Sequence, residues 1–225
     1  MAIRKLYGTL GSPDTIRALA SIFEHELDFE FIPIDLNAGE HKTESFLSLS
    51  VISSSPITQA LIFPKNIDDG LTLFESRAIM RFITHYYRNP GTELVYEVPK
   101  LQGIAATWID VEDHQFSPPA EKLRQELVDK AKKGLPMDKE VVAEAEAKLV
   151  KVLDVYEERL KHSKYLGGDR FTSADLTHLP YLYHLMGTPV KQLFEERPNV
   201  STWCKDILSR PCWSKVVEMV EKDKV

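Results

Sequence analysis

LTLFESRAIMR, residues 71–81, is the stretch whose reading decides the fold. It opens as a short apolar strand and passes directly into a helix whose apolar residues recur at helical spacing. Glu75 and Ser76 stand at the junction. A helix N-terminus presents unpaired N–H groups and the positive end of the helix dipole, both of which attract a carboxylate. A second stretch, GEHK at 39–42, puts His41 and Lys42 in a loop, where they offer donors and positive charge to another carboxylate.

Outward from that junction, the first 87 residues alternate strand and helix signals. Residues 3–7 form a short β run ending at Gly8, and 12–25 carry a helical stripe of Ile16, Leu19, Ala20 and Phe23. Residues 29–34 are strand-like and 45–49 suggest a short helix. Residues 57–63 and 71–74 read as two strands joined by the turn-rich PKNIDDG, and 75–87 as a strong helix. The order βαβαββα is a small α/β domain with a mixed sheet. Residues 88–99, with Pro90, Gly91 and Pro99, read as a linker, and residues 100–225 are almost wholly helical. A helix over 101–115 is expected to break or bend at Pro118–Pro119. A long amphipathic helix over 137–162 presents Val142, Ala145, Leu149, Leu153 and Tyr156 on one face. Segments 172–185, 200–208 and 213–220 supply the remaining helices.

Composition narrows the function. Hydrophobic residues at 43% and charged residues at 28% suit a globular chain with a substantial core, and a net charge of −6 disfavours binding to nucleic acid. No apolar run is long enough to cross a bilayer, and MAIRKLYGTLGS lacks the pattern of a secretory signal, so the cytosol is the expected location. Cys204 and Cys212 form neither a CxxC pair nor a zinc-binding spacing. They read as unpaired thiols, and no metal site is expected. FTSADL at 171–176 reads as a capping box, with Thr172 and Asp175 as reciprocal partners at the start of a buried helix.

The combination resembles the cytosolic glutathione transferases, and most closely their plant-type phi class. The resemblance rests on YGTLGSPDTIR (7–17), LDFEFIPIDLNAGEHKTESFLSL (27–49), LTLFESRAI (71–79) and VEDHQFSPPAEKL (111–123). It continues through AEAKLVKVLDVYEERL (145–160) and YLGGDRFTSADLTHLPYL (165–182), and so spans nearly the whole chain. It implies a thioredoxin-like N-terminal domain that binds glutathione, followed by an all-helical domain that contributes an apolar substrate site. It also implies a homodimer.

Roles carry over by position. Ser12 stands where the family has its catalytic serine. Its hydroxyl would donate a hydrogen bond to the glutathione sulfur and favour the thiolate, since a free thiol has a pKa of about 8.5. The competing reading of Ser12 is a plain helix N-cap. Tyr7 is the fallback hydroxyl, and Arg17 has a structural role in the family. His41 and Lys42 would bind the glycine end of glutathione. At the γ-glutamyl end, Glu75 would take the ammonium and Ser76 the carboxylate. Leu10, Phe116 and Tyr181 are candidates for the apolar wall of the second substrate site, lying over the sulfur between the domains, and each is equally suited to the core. His114 reads as a surface or capping residue, and Trp108 and Trp213 as packing residues.

One segment departs from the family pattern. Where the family has Asn-Pro-Phe-Gly-Gln-Val-Pro, a gapless alignment places SVISSSP at 50–56. Pro56 would be the cis-proline, Ser55 would pair through its main chain with the cysteinyl part of glutathione, and Ser54 replaces the glutamine. An alternative alignment sets PITQ, 56–59, against Pro-Phe-Gly-Gln and leaves no cis-proline. The shorter side chain at Ser54 predicts weaker glutathione binding than in a typical member. The expected activity is conjugation of the glutathione thiolate to apolar electrophiles, with hydroperoxide reduction as closely related chemistry. The rivals are a carrier of aromatic metabolites with little transferase activity and a specialised enzyme of plant secondary metabolism on the same fold.

Overall fold

In the computed structural model, residues 3–35, 38–40, 43, 60–62, 70–88 and 93–222 are described. The chain divides into two compact units, Met1–Thr92 together with Pro211–Val225, and Glu93–Arg210.

The first unit is built on a four-stranded sheet of order β2-β1-β3-β4. Strand β1 (Arg4–Gly8) runs parallel to β2 (Phe29–Pro33). Strand β3 (Ala60–Ile62) runs antiparallel to β1 and to β4 (Thr72–Phe74). Helix α1 (Pro13–Glu24) joins β1 to β2, as a parallel pair requires, and α2 (Ser76–Tyr86) follows β4 directly. This is the expected order; the helix expected over 45–49 and the ends of the strand over 57–63 lie outside the described residues.

Leu6, Ile16, Leu19, Ile22, Leu61, Ile79, Met80 and Ile83 form the core of this unit. Burial of α1 extends well beyond the stripe read from the sequence, to Ala18, Ser21 and Ile22. The breadth has a cause: α1 packs against α2 and also against the last helix, α11 (Pro211–Lys222). The sequence assigned that helix to the all-helical domain. It groups instead with the first unit, burying Trp213, Val216 and Val220.

In the second unit, α3 (Pro99–Val111), α4 (Ser117–Arg124) and α5 (Lys130–Lys132) are joined by π-helical turns at Glu112–Phe116 and Gln125–Asp129. Where a break or bend is expected, at Pro118–Pro119, the chain stays helical but changes hydrogen-bond register. Two prolines lack the N–H groups for bonds to carbonyls four residues back. The first wide turn comes immediately before them, with the Ser117 N–H donating to the Glu112 carbonyl five residues away, and the helix resumes with proline in its opening turn. The buried Glu112 carboxylate secures this turn, accepting from Ser117 Oγ at 2.6 Å and Thr177 Oγ1 at 2.8 Å.

Helix α6 (Lys139–Leu160) is capped by Asp138, which accepts from the N–H groups of Glu140 and Val141, and it buries Ala145, Leu149, Leu153 and Tyr156 as its pattern predicts, while Val142 is only half-buried. The segment 172–185 divides into α7 (Ser173–Leu176) and α8 (Leu179–Leu185), with Pro180 in the first turn of the latter. The short α9 (Lys191–Glu195), absent from the sequence reading, precedes α10 (Pro198–Leu208). No helix among the described residues is long and apolar enough to cross a membrane.

Candidate active site

Ser12 sits in a braced turn. The Ile34 N–H donates to the Gly8 carbonyl at 2.9 Å, and Thr9 Oγ1 donates to the Ile34 carbonyl at 2.7 Å. The Thr9 N–H donates to Thr15 Oγ1, and the Ser12 N–H to the Thr9 carbonyl. Gly8 is required for this closeness, because a Cβ there would fall 2.5 Å from Thr15 Oγ1. Ser12 itself is the N-cap of α1, with φ −87° and ψ 130°, and Pro13 opens the helix. Its carbonyl accepts from the Ile16 N–H, but its side chain makes no capping hydrogen bond. The hydroxyl is half-buried and uncommitted among the described residues, at the positive end of a twelve-residue helix. Tyr7, the fallback hydroxyl, is a half-buried strand residue paired with Ile32 on one side and Ala60 on the other.

A second helix start carries Glu75 and Ser76. Glu75 is the N-cap of α2 and adopts φ 68°, ψ 109°, a conformation that costs a non-glycine residue on the order of 1–3 kcal/mol. Its carbonyl accepts from the Ile79 N–H at 2.9 Å, while its side chain is exposed and makes no capping bond. The strained turn therefore presents the carboxylate outward, and among the described residues the Glu75 side chain does not cap the first N–H groups of α2. Ser76, by contrast, is buried.

Residues leading into GEHK are held by their own turn. The Asp35 N–H donates to Glu40 Oε2 at 2.8 Å, the Ala38 N–H donates to Asp35 Oδ1, and Gly39 takes φ 77°. His41, Lys42, Ser54, Ser55 and Pro56 lie outside the described residues.

The three candidates for the apolar wall divide between the units. Leu10 is a buried residue of the first unit. Phe116 has no exposed surface; its ring stacks on Tyr156 at 6.0 Å and meets His178, Tyr181 and Phe194 edge-on. That packing places it in the core of the helical unit, with nothing to offer a ligand. Tyr181, 8% exposed, lies at the margin of the same aromatic cluster. His114 is exposed, with its Nδ1 hydrogen-bonded to the Asp110 carbonyl. Burial pushes the Cys204 thiol up, so that sulfur is inert at neutral pH. The sequence assigns Arg17 a structural role and does not single out Asp14. Both turn out to bond to Ser76, and their three-residue spacing on one helix face was the available signal.

The match to known families agrees with this layout. Residues 4–85 match the model of the glutathione S-transferase N-terminal domain, and residues 116–211 that of the C-terminal domain. The chain belongs to the glutathione S-transferase family. A glutathione S-transferase of Hyoscyamus muticus is 49% identical over 214 residues, covering 95% of this chain and 97% of that protein. The crystal structure of glutathione transferase F7 from Populus trichocarpa matches at 40% identity with a TM-score of 0.86, over 96% of this chain and 98% of the other. Glutathione S-transferase I from mais, solved with an atrazine glutathione conjugate, matches at 32% identity and a TM-score of 0.87, over 98% and 99%. The F-class relatives support the phi-class reading, and the glutathione transferase has the family's two parts, a thioredoxin-like N-terminal domain and a helical C-terminal one. Its activity is that of the family, transfer of the glutathione thiolate to apolar electrophiles.

Proposed function

We propose that Ser12 is the thiolate donor of this transferase. The observation that carries the proposal is the uncommitted Ser12 hydroxyl: the residue caps α1 with its backbone but not with its side chain. A serine hydroxyl is too weak a base to take the thiol proton. It stabilises the thiolate by donating to sulfur, and the N-terminus of α1 adds a favourable dipole.

Glutathione lies with its γ-glutamyl ammonium on Glu75 and its γ-glutamyl carboxylate on the N-terminus of α2. The glycine carboxylate is held by His41 and Lys42, and the cysteinyl main chain pairs with Ser55 beside Pro56. The second substrate is an apolar electrophile attacked by addition or displacement, while hydroperoxides are reduced by the same thiolate, a second glutathione completing the disulfide. The enzyme works as a cytoplasmic homodimer, without a metal, in detoxification.

Calorimetric titration with glutathione, alongside turnover of a generic aryl halide, tests this reading. Both binding and turnover are expected. An inert protein that binds aromatic metabolites tightly would instead be a carrier. Glu75→Gln should raise KM for glutathione by about tenfold while leaving Tm unchanged, because an exposed carboxylate loses its charge-assisted bond to the ammonium. Ser54→Gln should tighten glutathione binding several-fold, since the amide restores a hydrogen bond of about 1 kcal/mol; unchanged affinity would remove Ser54 from the site.

A further inference from the structure

Asp14, Arg17 and Ser76 close a ring of three hydrogen bonds. Arg17 Nη1 donates to Asp14 Oδ1 at 2.8 Å and to Ser76 Oγ at 2.7 Å, and the Ser76 hydroxyl donates to Asp14 Oδ1 at 2.7 Å. The Arg17 side chain has no exposed surface, Ser76 is 2% exposed, and the Asp14 side chain is nearly half exposed. A hydroxyl has one proton to give and two lone pairs to receive. The Ser76 proton is spent on Asp14, and one lone pair is occupied by Arg17. None of its donor capacity remains for a ligand carboxylate.

Ser76 is also the first residue of α2, where main-chain N–H groups have no partner within the helix. Asp14 and Arg17 both belong to α1, two and five residues beyond Ser12. The ring therefore ties the start of one ligand-binding helix to the start of the other. We infer that Arg17 and Asp14 are positioning residues for the γ-glutamyl end of the site. They hold the Ser76 hydroxyl inward, so that its main-chain N–H meets the γ-glutamyl carboxylate. They also keep α2 in register with the turn that carries Ser12. A buried guanidinium is costly unless its charge is paired, and here the pairing with Asp14 and the hold on Ser76 are one structure. This inference rests on the glutathione-binding reading of α2 given above.

The test compares glutathione with an analogue lacking the γ-glutamyl α-carboxylate, using wild type, Arg17→Lys, Ser76→Ala and the double variant. Lysine keeps the charge, but its shorter side chain stops the ammonium short of the point from which Nη1 reaches both Asp14 and Ser76, so the ring opens. Arg17→Lys is expected to raise KM for glutathione by about tenfold with kcat changed by less than about twofold, and to shrink the preference for glutathione over the analogue by the same factor. Ser76→Ala should do likewise. The double variant should be no worse than the more affected single one, since either change opens the ring.

A lowered Tm with an unchanged preference would reduce Arg17 to a structural role and overturn the inference. So would additive effects of the two substitutions, which would mean that the hydroxyl meets the ligand independently of Arg17. Should Arg17→Lys fail to fold, Asp14→Ala opens the same ring from its half-exposed side, with the same expected loss of preference. A wild-type protein inert toward glutathione defeats the site reading itself, before any variant is compared.

Discussion

Ser12→Ala is expected to lower kcat with glutathione and an aryl halide by up to about 25-fold near pH 7, the fall in ionised thiol when a two-unit depression of its pKa is lost. Wild-type enzyme should hold the glutathione thiol about two units below its free value of about 8.5, which corresponds to about 3 kcal/mol. Without the hydroxyl, the thiol titrates closer to its free value. The acid limb of the pH–rate profile then moves upward, and the deficit shrinks as pH approaches 9.

The helix-cap alternative predicts a different result. A side-chain N-cap contributes about 1 kcal/mol, or about 2–4 °C in Tm for a chain of this size. Because Ser12 Oγ makes no capping bond, Tm should hold while the pH profile moves. A fall in Tm with a stationary profile would make Ser12 a cap and nothing more. Ser12→Thr keeps a hydroxyl at the same place and should recover part of the lost rate.

What could be read in the sequence was whatever short-range periodicity or capping chemistry encodes. The strands around Leu6 and Leu73, the stripe on α1, the buried face of α6 and the Thr172–Asp175 box are all present at or near the expected positions. The misses share a cause, since each depends on a choice made by distant or competing partners. The helix passes Pro118–Pro119 because a wide turn precedes them, and nothing in EDHQF marks that change of hydrogen-bond register. The last helix joins the first unit because α1 buries more of its circumference than its apolar stripe announces. Phe116 suits a core and an apolar pocket equally well by residue type, and only its aromatic neighbours place it in the core. At the site, residue type named Glu75 and Ser76, but that Ser76 gives its proton to Asp14 follows only from tertiary structure.

Asp175→Ala is expected to have the largest effect on stability of any single change here. The carboxylate is fully buried and accepts from the Thr172 N–H at 3.0 Å, the Leu166 N–H at 3.0 Å and the Trp203 Nε1–H at 2.9 Å. Alanine leaves three buried donors without an acceptor, at about 1–3 kcal/mol each. A total on the order of 5 kcal/mol is comparable with the whole stability of many domains, so Tm should fall by more than about 10 °C. Thr172→Ala removes the cap and one longer hydrogen bond to Asp175, while the three N–H donors keep their acceptor, and should cost about 1–2 kcal/mol. The carboxyl is pushed up from 3.8 to about 6, burial outweighing the hydrogen bonds that favour its charged form. Native protein therefore holds this proton more tightly than unfolded chain, and the stability contributed by the protonated group is lost as pH rises from about 4 to about 6, then stays level. Asp175→Asn lacks that slope, so its deficit relative to wild type should be smaller at pH 7 than at pH 4.5. Chemical denaturation at the two pH values decides the matter: a deficit that grows with pH would mean that the donors, rather than burial, set the charge state of Asp175.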